Sequence, residues 1–259
     1  MLKKSWIIIL AVLVFAVSFA AAEESAESAE NAVKISFTDA GLEQETDGVS
    51  FFNGVLTVFK PGTYELSGSL TDGQIYVNCA DEGKVTLILN GVTINCETSA
   101  ALQIGKCKPG VELMLAEGPE NVIACGPDAV KDPDEDPNSA LFSKSDLSIG
   151  GTGSLLVRAE SGDGIVSKDD LVILSGSITV QAKGHGLKGK DCVEIYDGEL
   201  DITAEKDGIK STNKDSSERG YVAVHGGTIS ITAGDDPIQV VTGCTVENAK
   251  ITIKMNKTN

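Results

Sequence analysis

Apolar and polar residues alternate in short segments along most of the chain, and in its C-terminal half the segments recur at a fixed interval. Gly164-Ile165, Gly186-Leu187 and Gly208-Ile209 open copies 22 residues apart, and Gly176 and Gly198 mark the same interior point of two of them. Strand-sized alternating segments at such an interval predict one coil of a parallel β-helix per copy. A single coil leaves its apolar face open, so coils stack and bury it together. Allowing for a seven-residue insertion, Asn213 to Arg219, the register resumes at Gly227 and at Asp236-Pro237-Ile238. Four inward columns follow from the period of two along a strand. The first is Ile165, Leu187, Ile209 and Ile238; the second is Leu171, Val193 and Val222, continued by Cys244. The third is Ile178, Leu200, Ile229 and Ile251, and the fourth is Val180, Ile202, Ile231 and Ile253. An antiparallel sandwich would also alternate, but it gives no reason for four columns in register.

Ahead of this region, Val33 to Phe37, Phe51 to Phe59 and Pro61 to Leu66 read as capping first coils, with Asn53-Gly54 and Pro61-Gly62 as turns. Further strands are expected at Gln74 to Val77, Val85 to Ile94, Ala101 to Ile104 and Val111 to Leu115. Between Gly126 and Asn138 three prolines exclude a central strand. The acids there, Asp128, Asp132, Asp134, Glu135 and Asp136, lack the glycine and terminal glutamate of an EF-hand loop, so this excursion reads as a solvated acidic loop. Leu141 to Ile149 then matches Ile165 to Ile173, and one all-β domain of roughly nine coils is expected over residues 33–259.

Lys3 and Lys4 precede an apolar run from Ile7 to Ala22 that ends in three alanines, the pattern of a signal peptide over residues 1–22. The run is short for a spanning helix, although a retained anchor is the alternative; no cysteine follows it to carry a lipid. Residues 23–32 read as a disordered leader, and the mature protein is expected to be secreted or at the cell surface. Without Lys3 and Lys4, 19 basic residues face 38 acids, a net charge of about −19. Such a surface repels a polyanion, so nucleic acid is not an expected partner, nor is a membrane after cleavage. Trp6 lies in the expected signal peptide, which leaves Tyr64, Tyr76, Tyr196 and Tyr221 for stacking on a sugar. Six cysteines permit up to three disulfides. Cys79, Cys96, Cys107 and Cys125 are the better candidates, and Cys244 reads as core.

Stacking the coils places Asp163, His185, Asp207 and Asp236 in one column, with Asp235 beside the last. Carboxylates one strand spacing apart repel unless a cation lies between them, and oxygen donors suit calcium. Asp207, Asp235 and Asp236 are the first candidate calcium ligands, Asp163 the next, and Asp169 with Asp191 a second site beside Asp170. The competing expectation for each aspartate is a turn cap bonded to its own backbone. One residue beyond the first inward column, Val166, Lys188, Lys210 and Gln239 face outward, flanked by Lys168 and Lys190. A lysine row beside calcium is suited to the carboxylates of an acidic sugar chain. A lyase would also need a base, and Lys188, Lys210 and Arg219 qualify without one being distinguished, so no catalytic residue is assigned. His185 and His225 pair with no nucleophile motif, and no phosphate loop occurs.

The segments Leu141 to Leu147, Gly189-Lys190-Asp191, Asp207 to Asn213, Gly220-Tyr221-Val222 and Ala233 to Asp236, with Gly62 to Gly68 and Leu87 to Val92, resemble a family of secreted bacterial carbohydrate-binding-domain-containing proteins. The resemblance runs from about Val33 to the end. It implies a right-handed parallel β-helix that binds cellulose or acidic sugars such as polygalacturonate, carries calcium, and is similar in shape to calcium-dependent pectate lyases. His185 in place of the turn aspartate and Pro237 in place of its glycine depart from the pattern. The expected function is calcium-dependent polysaccharide binding; a pectate-lyase-type lyase and an adhesive surface β-helix are the alternatives.

Overall fold

The computed structural model describes residues 31–105, 107–129 and 136–256. The expected signal peptide, most of the leader, and Asp132, Asp134 and Glu135 of the excursion lie outside the described residues. The described residues form strands and turns without a helix. One sheet has 16 strands and the other nine. Pairing is parallel except where Val33–Thr38 meets Gly41–Leu42 and Val49–Phe52 meets Val55–Val58. Parallel neighbours are distant in sequence: Ile165 pairs with Leu187, Leu187 with Ile209, and Ile209 with Ile238 across the insertion.

From Asp163 onward each repeat gives one strand to the smaller sheet and two to the larger. Asp163–Ser167, Asp170–Ile173 and Ser177–Ala182 are followed by Leu187–Gly189, Cys192–Ile195 and Glu199–Ala204. This order is consistent with a β-helix-like solenoid. The strands are rich in Ile, Val and Thr, whose branched Cβ suits a pleated surface packed on one side. Ile165, Leu187, Ile209, Leu171, Val193, Val222, Val180, Ile202 and Ile231 are all completely buried. They belong to one apolar cluster that runs from Ile35 to Ala233.

The columns thin out at the last repeat. Cys244 is the register partner of Val222 as expected, yet it is exposed, and Ile253 is 52 % exposed. Their strands, Gly243–Val246 and Lys250–Met255, have a neighbour on one side only, and burial in a strand stack requires two. Cys79, Cys96, Cys107, Cys125 and Cys192 are buried, and all six cysteines are thiols. They pack as small apolar side chains. Burial pushes the Cys107 and Cys125 thiols up to about 11 and Cys192 up to about 12.

Val85–Cys96 belongs to two faces, pairing with Val111–Leu115 through its first half and with Asn121–Cys125 through its second. It bends at Gly91, whose φ of 75° suits a residue without Cβ. Buried Asn121 satisfies the backbone there: its Oδ1 accepts the Gly91 and Val92 N–H groups, each at 3.0 Å, and its Nδ2 donates to Ser154 O at 3.0 Å. Outside the main core, Ala100, Phe142 and Val166 form a second buried cluster. Val166 is thus on the outward row yet buried, which corrects its expected exposure beside the lysines.

Candidate functional site

Gly164, Gly186 and Gly208 stand where successive repeats enter the smaller sheet, and they are packed against one another. A Cβ on Gly186 would lie 2.6 Å from Gly208 O and 2.4 Å from Ile202 Cγ2. The residue before each glycine reaches to the next repeat. Asp163 Oδ1 accepts the His185 N–H at 2.8 Å, His185 Nδ1 accepts the Asp207 N–H at 3.2 Å, and Asp207 Oδ1 accepts the Asp236 N–H at 3.0 Å. The column is therefore a ladder of side chains on backbone amides. This corrects the turn-capping expectation: the side chains do hold backbone amides, but each bond crosses to the neighbouring repeat instead of closing on its own turn.

The second carboxylate oxygens face the lysine row. Lys188 Nζ donates to Asp163 Oδ2 at 3.1 Å, and Lys210 Nζ donates to Asp207 Oδ2 at 3.0 Å. Lys210 also lies 3.4 Å from His185 Nε2, and Gln239 takes the lysine's place beside Asp236, at 3.3 Å from Oδ2. Asp163 and Asp207 are buried, while the lysine heads reach the surface. At the end of the ladder lies an open hollow of about 600 Å³, where Lys206, Asp235, Asp236 and Gln239 join His185, Asp207 and Lys210.

This donor set does not make a protein-only calcium cage. Both oxygens of Asp207 are committed, one of them to an ammonium where the cation was expected. Among the described residues, no three His, Cys, Asp or Glu side chains gather to hold a metal. Asp191, of the second expected pair, is committed as well. It accepts from Asn213 Nδ2 and from Arg219 Nη1, so it anchors the insertion. Burial first, and then the charges of Asp146 and Asp191, push the Asp169 carboxyl above the ordinary range. Lys168 pairs with Asp136 at 2.8 Å and lies 6.0 Å from the centre of the Phe142 ring, away from the ladder. Lys190 is exposed. Of the expected ligand lysines, only Lys188 and Lys210 are brought together with the acid column.

His185 is buried between Asp163 and Asp207. Burial lowers its pKa from 6.5, with Lys210 and Lys188 acting in the same direction and the two aspartates opposing them. Below pH ~6.5 an unfolded histidine binds a proton that the folded one resists, so this residue's contribution to stability is lost as pH falls. Urea unfolding at pH 7 and pH 5.5 should show a smaller difference in His185→Asn than in the parent. An equal difference would remove His185 from the pH response.

Tyr196 and His225 are brought together without any motif to announce them. They follow the register partners Ile195 and Val224, and counting across the insertion is the only sequence signal that joins them. Their rings stack with centroids 4.6 Å apart.

Fold and site together define a class: an all-β protein of long parallel sheets with a ladder of charged side chains along one outer row. The chain belongs to the carbohydrate-binding domain-containing protein family, which matches residues 53–259. A carbohydrate-binding domain-containing protein of Acetivibrio thermocellus is 44 % identical over 214 residues, covering 81 % of this chain and 73 % of the relative. Among solved structures, a polysaccharide lyase-like protein from C. thermocellum, studied as a gadolinium derivative, superposes with a TM-score of 0.81 at 38 % identity. That match covers 86 % of this chain and 90 % of the other.

Proposed function

We propose that this protein is an exported polysaccharide-binding protein, built as a right-handed parallel β-helix of about 22 residues per coil, that holds an acidic chain along its lysine row. The observation that carries the reading is the pair Lys188 and Lys210, register partners on adjacent strands whose ammonium groups are oriented by buried Asp163 and Asp207. Preorganised cations one strand spacing apart offer a repeated contact to a polyuronate. Family membership supports carbohydrate as the ligand.

Calcium belongs to this reading as an ion shared with the sugar. Asp235 and Asp236 are exposed beside the hollow, and a cation there would offset repulsion between a strongly acidic protein and an acidic glycan. The alternative of a polysaccharide lyase is favoured by the likeness to the lyase-like structure. Against it, Lys188 and Lys210 are each engaged on a carboxylate, and Arg219 is engaged on Asp191. None of the three is free to act as base.

Affinity electrophoresis through polygalacturonate, with calcium or with chelator, tests the proposal. Retention is expected in calcium and lost in chelator, without the ultraviolet absorbance of unsaturated uronate ends. Lys188→Ala combined with Lys210→Ala should weaken retention by about tenfold. Absorbing product would establish the lyase instead, and failure to be retained by any polysaccharide would leave the adhesive alternative.

A further inference from the structure

We infer that the corner of the larger sheet at Tyr196 is a second sugar site, one that takes a neutral pyranose. This inference rests on the carbohydrate-binding reading and concerns a surface distinct from the lysine row. Leu174, Tyr196, His225 and Glu247 immediately follow the register partners Ile173, Ile195, Val224 and Val246, so they stand side by side across four repeats. The backbone confirms the alignment. Tyr196 N donates to Ile173 O at 2.8 Å and His225 N to Ile195 O at 2.7 Å.

Tyr196 is 46 % exposed and Leu174 39 %, next to each other on a chain with a large excess of acids. One face of the Tyr196 ring is covered by His225, at an interplanar angle of 22°. Leu174, the neighbour of Tyr196 in the preceding repeat, lies over Gly150, where a Cβ would come within 3.3 Å of Leu174 Cβ and 3.5 Å of its Cδ1. Gly150 thus makes room for Leu174.

The phenol is fixed at its far end. Tyr196 Oη donates to Glu194 Oε2 at 2.8 Å, and Tyr221 Oη donates to Glu194 Oε1. Glu194 is held by two hydroxyls and in turn fixes the exposed ring, so little side-chain freedom remains to be lost on binding. An apolar ring face with a carboxylate at its edge suits a pyranose, whose C–H face packs on the aromatic ring while its hydroxyls donate to the acid. Glu194 and Glu247 repel a uronate carboxylate, so the sugar accepted here is neutral. The lysine row and this corner therefore differ in the charge of the ring they take.

Retention in hydroxyethylcellulose gels and titration with cellohexaose test the site, with polygalacturonate run in parallel. The parent is expected to be retained by both polymers. Tyr196→Ala should lose about tenfold in affinity for the neutral glucan and keep its retention on polygalacturonate. Tyr196→Phe, which keeps the ring, should lose only about two- to threefold. Replacing Lys188 and Lys210 should produce the reverse pattern, so failure of either site is separable from failure of the other. Unchanged binding of the glucan by Tyr196→Ala overturns the inference, as does a parent protein that ignores the glucan. Should Tyr196→Ala not fold, ring-proton shifts of Tyr196 on adding cellohexaose to the parent support the site, and their absence refutes it.

Discussion

Replacing Asp207 with Ala is expected to lower the unfolding free energy by about 2–4 kcal/mol, among the largest effects of any single change in the ladder. The carboxylate is buried and serves two groups, the Asp236 N–H and the Lys210 ammonium. Its removal leaves an amide and a partly buried ammonium without their acceptor. At about 2–4 °C per kcal/mol for a domain of this size, the melting temperature should fall by roughly 10 °C. Asp207→Asn retains an acceptor for the amide and loses the charge, so about half the effect should remain. Asp235→Asn, at the exposed neighbour, should stay within about 0.5 kcal/mol. Thermal melts followed by far-ultraviolet circular dichroism separate the three. Equal small losses for Asp207 and Asp235 would show that the ladder does not stabilise the fold.

Gly186→Ala is expected to cost about 1–3 kcal/mol through overpacking. The added methyl would meet Gly208 O at 2.6 Å and Ile202 Cγ2 at 2.4 Å, a backbone oxygen and a completely buried side chain, neither of which has room to retreat. Gly243→Ala is the matched control, since nothing lies within 4 Å of the position its Cβ would take. It should leave the urea midpoint where it is. A harmless Gly186→Ala would mean that adjacent repeats are further apart than the packing requires.

That glycine also explains how much of the fold was legible in the sequence. Gly164, Gly186 and Gly208 recur because neighbouring repeats touch there, and the branched residues after them recur because each covers the one below. Spacing alone therefore recovered the register, including the shift across the insertion. Burial was less legible at the last repeat: Cys244 and Ile253 have the right partners but lack a second neighbour, and a pattern read along the chain does not count neighbours. Phe142 and Val166 were opaque for a related reason, since alternation assigns a side to each residue without saying what else covers that side. The acid column is legible as a column from the spacing, and its side chains do bond from repeat to repeat. What its oxygens bind was not legible, because a carboxylate chooses among an amide, an ammonium and a metal ion over differences of less than an ångström. Asp207 lies three residues before Lys210, which is visible in the sequence, but Lys188 serves Asp163 of the preceding repeat, which only stacking reveals.

The contacts that join one repeat to the next, from the parallel pairing of Ile165 with Leu187 to the bond from His185 N–H to Asp163, run in the direction in which the strands follow one another. A tensile load along that direction passes through every interface in series, so the weakest interface yields first and the repeats peel away singly. A load across it is shared by all the interfaces at once. Anchored so that a glycan drags across the strand stack, the same bonds would resist a far greater force than when pulled end to end.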